Sequence, residues 1–165
     1  MSQVQNFSAL QTQETEFEKR RGISSVELRT GFAQVHITNL LGVVTEARLR
    51  VLDALGDANI SIDFLKLTPT GLSFLVKNAD APAVTEAVRP VAMDFSIRQD
   101  QAIVLVHAVN IRDEEGLVGD IVCAVIASGI TIEHTGDMHD RLLLVVSEAQ
   151  ANRTVGILKN QWGLA

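Results

Sequence analysis

The sequence has few of the residues that stabilise small secreted proteins or bind phosphate and lipid. It contains one cysteine, Cys123, no tyrosine and three prolines in 165 residues. One cysteine cannot form an internal disulfide, so a disulfide-stabilised scaffold is excluded. The formal net charge is -6. Because basic residues are not in excess, we expect neither nucleic acid nor an anionic membrane surface as a partner.

Long apolar runs are also missing. No stretch approaches the ~18 apolar residues that a membrane-spanning helix needs, and the first residues do not resemble a secretory leader. We therefore expect a cytoplasmic protein without a membrane span. Hydrophobic residues make up 47% of the chain and charged residues 21%. This balance is typical of a chain that buries a packed core.

The hydrophobic periodicity predicts an ordered series of elements after a polar, flexible tail at residues 1–20. Alternation over 33–37 predicts a strand, and the apolar spacing from Val44 predicts a helix of about 12 residues. A hairpin follows, with strands at 60–67 and 72–76 around the turn residues Pro69-Thr-Gly71. A helix at 81–91 and a strand at 93–97 complete the order βαββαβ.

The same order begins again at Ala102. The patterns predict a strand at 102–109, a helix at 117–128, strands at 130–135 and 141–146 around a turn at Asp137, and a helix at 148–161. This repeat lacks a fourth strand, whereas the strand predicted at 22–29 is not needed by the first repeat. Asn59-Ile-Ser-Ile-Asp63 matches Gly129-Ile-Thr-Ile-Glu133, which supports two copies of one motif.

These observations predict an α+β fold of two βαββαβ units, with antiparallel sheets and the helices on one face of each. Unit one comprises residues 30–99, and unit two comprises residues 21–29 plus 100–165. In this arrangement unit one is inserted within unit two, and the strand at 22–29 covers an edge of the second sheet that would otherwise be exposed.

From Gly22 to the C-terminus the sequence resembles the regulatory region of aspartate kinases, including subunits that carry this region alone. The resemblance is carried by Gly22-Ile-Ser-Ser-Val-Glu-Leu28, Ala33-Gln-Val-His-Ile37, Leu52 to Asp63, Ala102 to Val109, Glu115-Gly116, Ser128 to Glu133, Arg141 to Val146 and Gln161-Trp-Gly-Leu164. It implies two ferredoxin-like ACT units, pairing of sheets in a dimer, and an amino acid such as lysine or threonine bound between units. The kinase catalytic domain is absent from this sequence.

The resemblance also implies where an effector binds: the loop between the first strand and first helix of each unit, and the start of the second strand. The family's Asp-Lys-Pro-Gly loop reads Val43-Val-Thr-Glu46 here, and Leu67 and Thr131 stand where the family uses glutamine and asparagine. Acidic side chains at 46, 63, 113 and 114 are candidates to bind an effector's ammonium group. The full candidate set is Asn39, Gly42, Val43, Val44, Thr45, Glu46, Asp63, Leu67, Asp113, Glu114, Gly116, Thr131 and Ile132.

Several other residues are of types that can have chemical roles. Cys123 lies in the apolar run Ile121–Ile126, so we expect a buried structural thiol. That helix is predicted to be covered on two sides, either in a tight core or at a contact between units or subunits. His134, Asp137, His139 and Asp140 are predicted to form a solvated turn rather than a metal site. His36 and His107 are predicted strand residues, and Phe64 and Phe74 predicted core residues.

Three functional hypotheses remain open. The first is a non-catalytic regulatory protein that binds a small effector and acts on a partner enzyme of amino-acid metabolism. The second is an interaction module that forms a homodimer and binds no ligand. The third is an enzyme, which the sequence disfavours because it shows no constellation of acid, base and nucleophile. We predict no cofactor and no metal.

Overall fold

A computed structural model describes residues 22–109, 111 and 114–165. The tail at residues 1–20, predicted to be flexible, lies outside this described part. The described elements are six strands, four α-helices and a short 3-10 helix at Asn78–Asp80. In chain order the strands and α-helices are β1 (Ile23–Thr38), α1 (Val44–Asp57), β2 (Phe64–Thr68), β3 (Gly71–Lys77), α2 (Ala81–Val88), β4 (Asp94–Ala108), α3 (Leu117–Ala127), β5 (His134–Asp137), β6 (Arg141–Ser147) and α4 (Glu148–Gln161).

All six strands belong to one antiparallel sheet with the order β2-β3-β1-β4-β6-β5. The α+β class is confirmed, but the expectation of separate sheets is wrong. The strand predicted at 22–29 and the one predicted at 33–37 are a single strand, β1. Likewise, the strands predicted at 93–97 and 102–109 are a single strand, β4. These two long strands hydrogen-bond to each other along most of their length, and this pairing makes one sheet.

Each long strand contains an irregularity that lets it serve two cores. Val26 and Leu28 pack against one core, whereas Ala33, Val35 and Ile37 belong to another. Even and odd positions of a regular strand point to opposite faces, so one extra residue is needed between the two sets. The ladder between β1 and β4 shifts there, around Gly31, whose φ of 83° suits glycine.

The two helix-side cores are distinct clusters of buried residues. One contains residues of α1 and α2, and the other contains residues of α3 and α4. A third cluster contains no helix residue and lies on the opposite side of the strands, which we call the helix-free face. Its buried members are Phe32, Leu75, Ile103, Leu105, Leu143 and Val145, with Phe64 packed against them. The helices therefore cover one face of the sheet, as predicted.

The sheet curls so that its two edge strands approach each other. An ideal Cβ at Gly136 of β5 would lie 2.8 Å from Cε2 of Phe64 on β2. The His134 ring also meets the Phe64 ring edge-on, with the ring centroids 4.9 Å apart. We call this contact between β2 and β5 the seam. Because Gly136 has no side chain, the Phe64 ring can pack directly against the β5 backbone.

The prediction of a buried thiol at Cys123 is wrong, because this side chain is exposed. Leu117, Ile121 and Val125 are the buried residues of α3, and they form its sheet-facing side. Cys123 and Ile126 lie on the outer side, which no other described part of this chain covers. The prediction failed because an apolar helix sequence does not tell which face is buried. In the described residues, no helix is long and apolar enough to cross a membrane.

Candidate functional site

The loop at residues 39–43, part of the predicted effector site, connects β1 to α1. Asn39 has a φ of 51° and Gly42 a φ of 79°, so the backbone turns sharply at both. The Asn39 side chain donates a hydrogen bond to Asp94 Oδ2 at 2.9 Å. The Leu40 amide donates to the carbonyl oxygen of Thr70 at 3.0 Å. The loop is thus attached to both the start of β4 and the β2–β3 turn.

A cleft opens beside this loop. It is lined by Asn39, Leu40, Leu41, Ala47, Arg50, Val91, Ala92 and Met93. Of these, only Asn39 belongs to the predicted candidate set. Arg50 is not among the predicted candidates, and residues 91 and 93 were predicted to belong to a helix end and to the next strand. A cleft formed by segments that are distant in sequence cannot be read from local periodicity.

The first turn of α1 borders the same region. α1 begins at Val44, and Val43 is its N-cap residue without a side-chain capping hydrogen bond. Thr45 and Glu46 are exposed in the first turn. The free amide groups and the dipole at a helix start favour a negatively charged group. Arg50, one turn further on, adds a positive charge to the cleft.

The remaining candidates of the first repeat lie at two different places. Leu67 is on β2 and is exposed, next to the β2–β3 turn that holds the loop. Asp63 precedes β2 at the other end, where its amide donates to the carbonyl oxygen of Leu75 at 2.9 Å. Its carboxylate lies 3.9 Å from Lys77 Nζ. The structure therefore brings Leu67 close to the loop and leaves Asp63 apart from it.

The candidates of the second repeat lie at the opposite end of the β1–β4 ribbon. Glu114 Oε2 accepts a hydrogen bond from the Gly22 amide at 2.8 Å, which ties this loop to the start of β1. Gly116, with a φ of 82°, is the N-cap residue of α3. Thr131 and Ile132 precede β5, because that strand begins at His134 rather than at 130. Asp113 lies outside the described residues.

Two histidines on the helix-free side are half-buried. Burial lowers the pKa of His36, the nearby Arg98 lowers it further, and Glu133 partly offsets both effects. Burial also lowers the pKa of His134, with Lys66 and His36 adding to the decrease and a backbone hydrogen bond at Glu133 opposing it. Both rings are therefore neutral at pH 7. Among the described residues, no three His, Cys, Asp or Glu side chains form a group that could hold a metal ion.

Comparison with solved structures identifies the fold. The chain matches a structure of aspartokinase alpha and beta subunits with a TM-score of 0.79 and 17% identity, over 87% of this chain and 100% of that chain. It matches the ligand-free regulatory subunit of aspartate kinase from Thermus thermophilus with a TM-score of 0.76 and 20% identity, over 85% and 97%. No protein-family model and no curated protein sequence matches the chain.

Longer aspartokinases are matched over part of their length. E. coli aspartokinase III in complex with aspartate and ADP gives a TM-score of 0.72 at 14% identity, over 87% of this chain but 34% of that chain. This chain thus corresponds to about a third of such an enzyme and to nearly all of a separate regulatory subunit. It has the fold of the regulatory region of aspartate kinases, as its sequence resemblance predicted.

Proposed function

We propose that this chain is a non-catalytic regulatory protein that binds a small effector, in kind an amino acid, and acts on a partner enzyme of amino-acid metabolism. The observation that carries this proposal is the match to nearly the full length of a protein described as a regulatory subunit of aspartate kinase. A partner enzyme is supported by the match to a structure that contains both alpha and beta aspartokinase subunits. Effector binding changes a partner only if it favours one of two conformations.

The proposal includes two nested ACT units, residues 30–99 within 21–29 plus 100–165. It is supported by the strand register, since Ile23 to Arg29 pair with Ile103 to Ala108, and Gln34 to Thr38 pair with Asp94 to Arg98. The two helix-side cores fall on either side of the same division.

The effector site that we propose is the cleft beside residues 39–46. Arg50 is the cation that lines it, and it is suited to an effector's carboxylate. Asn39 contributes a polar side chain, and the exposed Glu46 is placed at the loop to attract an ammonium group. The apolar lining from Leu41 and Met93 is suited to an aliphatic side chain. The proposed effector binds at an interface between units. In a dimer, a second copy of the chain would therefore close the cleft.

The test is a calorimetric titration of the protein with each of the standard amino acids. A bound amino acid stabilises the folded state by RT ln(1 + [L]/Kd), about 2.7 kcal/mol at a hundredfold excess over Kd. Arg50→Gln is expected to abolish the response. Arg89→Gln is the matched control, because Arg89 is exposed at the end of α2 and pairs with Glu86 at 3.8 Å. Loss of binding in both variants would contradict the site.

A ligand-free dimerisation module is the second candidate, and the exposed apolar side chains around the cleft favour it. Met93 is 83% exposed, Leu41 67%, Val43 60% and Leu49 55%. Exposed apolar groups in one region commonly mark a protein contact. Two results together would favour this module over the effector sensor. No amino acid would bind in the titration, and sedimentation would show a dimer that the Leu49→Glu substitution dissociates.

A further inference from the structure

The helix-free face carries a group of polar side chains close to the seam. Gln34 and His36 follow Phe32 at alternate positions of β1 and share its face. His36 pairs across the ladder with Ser73, and Ser73 pairs with Lys66. On the other side of β1, Gln34 pairs with Arg98 of β4. Residues directly opposite in a sheet have Cβ atoms about 5 Å apart, so these side chains form one patch.

Several polar atoms in this patch are buried without hydrogen-bond partners. Gln34 is 1% exposed and Ser73 is 2% exposed. Within the described part of the chain, neither amide atom of Gln34, nor Ser73 Oγ, nor His134 Nε2 makes a hydrogen bond. Leaving such groups unpaired costs about 1–3 kcal/mol each. Four unpaired polar atoms in one patch indicate a candidate binding site for a polar ligand.

His134 of β5 covers the patch from the opposite edge of the sheet. Its ring centroid lies 6.5 Å from that of His36. The patch is therefore bounded on one side by β1 and β3 and on the other by β5. Ser96, Lys66 and Arg98 are exposed at its margins.

The charges around the patch decide which guest it favours. Lys66 on β2 and Arg98 on β4 are cations, and His36 and His134 become cations when protonated. The acidic group near His36 is Glu133, whose carboxylate is already paired with Arg98 at 2.6 Å. The hydroxyl of Ser73 and the amide of Gln34 add hydrogen-bond donors. This surrounding repels a metal cation and attracts an anion.

We propose that the patch is a binding site for a small oxyanion, a carboxylate or a phosphate, held by Gln34, His36, Ser73 and His134 with Lys66 at its rim. The site is separate from the effector cleft, so it stands or falls independently of the proposed regulatory function. A bound oxyanion contacts both β1 and β5 and thus joins the edge strand β5 to the middle of the curled sheet. It also favours the protonated histidines, so binding strengthens as the pH falls from 7.5 to 5.5.

The test is a histidine-detected NMR titration of the full chain with sodium acetate and, separately, sodium phosphate, at constant ionic strength. We expect saturable shifts and raised pKa values for His36 and His134, whereas His107, which lies near Glu27 at the other end of the face, does not respond. A response to acetate alone identifies a carboxylate site, and a response to phosphate alone identifies a phosphate site. Isothermal calorimetry of the same titrations gives the dissociation constants.

Two pairs of variants locate the binding. Ser73→Ala and Lys66→Gln are each expected to weaken binding about tenfold, since each removes a donor to the anion. Ser25→Ala and Lys159→Gln are the matched controls, because Ser25 is at the far end of β1 and Lys159 is on α4. The proposal is overturned if neither anion produces a saturable shift in the unmodified protein. It is also overturned if the control variants lose binding as strongly as the site variants.

Discussion

The β2–β3 turn should be intolerant of a single added methyl group at Gly71. This residue begins β3, and it is buried. A Cβ built on it would lie 1.9 Å from the carbonyl oxygen of Ile37, 2.9 Å from the carbonyl carbon of Ile37 and 3.1 Å from the Thr38 Cα. All three neighbours are backbone atoms of β1. No change of side-chain rotamer can relieve this contact, so β3 must move away from β1.

The size of the effect follows from this geometry. The contact with the Ile37 oxygen must lengthen from 1.9 Å to at least 3.0 Å, below which real Cβ contacts are essentially never seen. Overpacking commonly costs about 1–3 kcal/mol. Because the obstacle at Gly71 is the backbone of the neighbouring strand β1, we expect Gly71→Ala to cost about 3 kcal/mol. For a chain of this size, that is a decrease in Tm of roughly 6–12 °C.

The assay is urea denaturation followed by far-UV circular dichroism, with a thermal melt alongside it. Gly56→Ala is the matched control, because an added Cβ in α1 meets nothing within 4 Å. Replacing a helical glycine with alanine is expected to raise the free energy of unfolding by about 0.5–1 kcal/mol. If Gly71→Ala unfolds within about 0.5 kcal/mol of the unmodified chain, the close approach of β3 to β1 is wrong.

Three further predictions concern titration, a side-chain tie and a thiol. Burial lowers the pKa of His36 and His134 in the folded chain, so as the pH falls these histidines bind protons at a higher pH in the unfolded chain. The free energy of unfolding should therefore fall as the pH drops below about 6.5. Urea denaturation between pH 7.5 and 5.5 measures this fall, and the variant with both histidines replaced by glutamine should flatten it. Arg48 donates hydrogen bonds to the carbonyl oxygens of Thr68 and Gly71. Arg48→Ala should therefore cost about 1–2 kcal/mol, against less than about 0.5 kcal/mol for the exposed Arg50→Ala in the same assay. Cys123 should react with a thiol-specific disulfide reagent in the folded protein as fast as a free thiol does; labelling that requires denaturant would show that its exposed position is wrong.

The sequence was informative about the helices and the repeat because both depend on local patterns. The periodicity from Val44 located α1, and the last helix was predicted at its observed bounds, Glu148–Gln161. The match between Asn59–Asp63 and Gly129–Glu133 indicated two copies of one motif. These inferences needed only side-chain spacing and order along the chain.

The candidate site was predictable only in part. The loop from Asn39 to Glu46 does border a cleft, but Arg50 and Met93 line the same cleft and were not selected. These residues meet because α1 and the segment before β4 pack together. Spacing along the chain does not encode such a meeting, and the roles of the candidates remain predictions.

What the sequence by itself determined is the alternation of apolar and polar residues, which selects strands and helices and, where an element has a polar side, the face that packs against a core. Only the tertiary structure decided that two pairs of predicted strands are continuous. In β1, the shift at Gly31 keeps both apolar sets on the helix side. The tertiary structure also determines that Cys123 is exposed and that the His134 ring lies near the His36 ring. Such outcomes depend on which surfaces meet, and that is settled by packing between residues far apart in the chain.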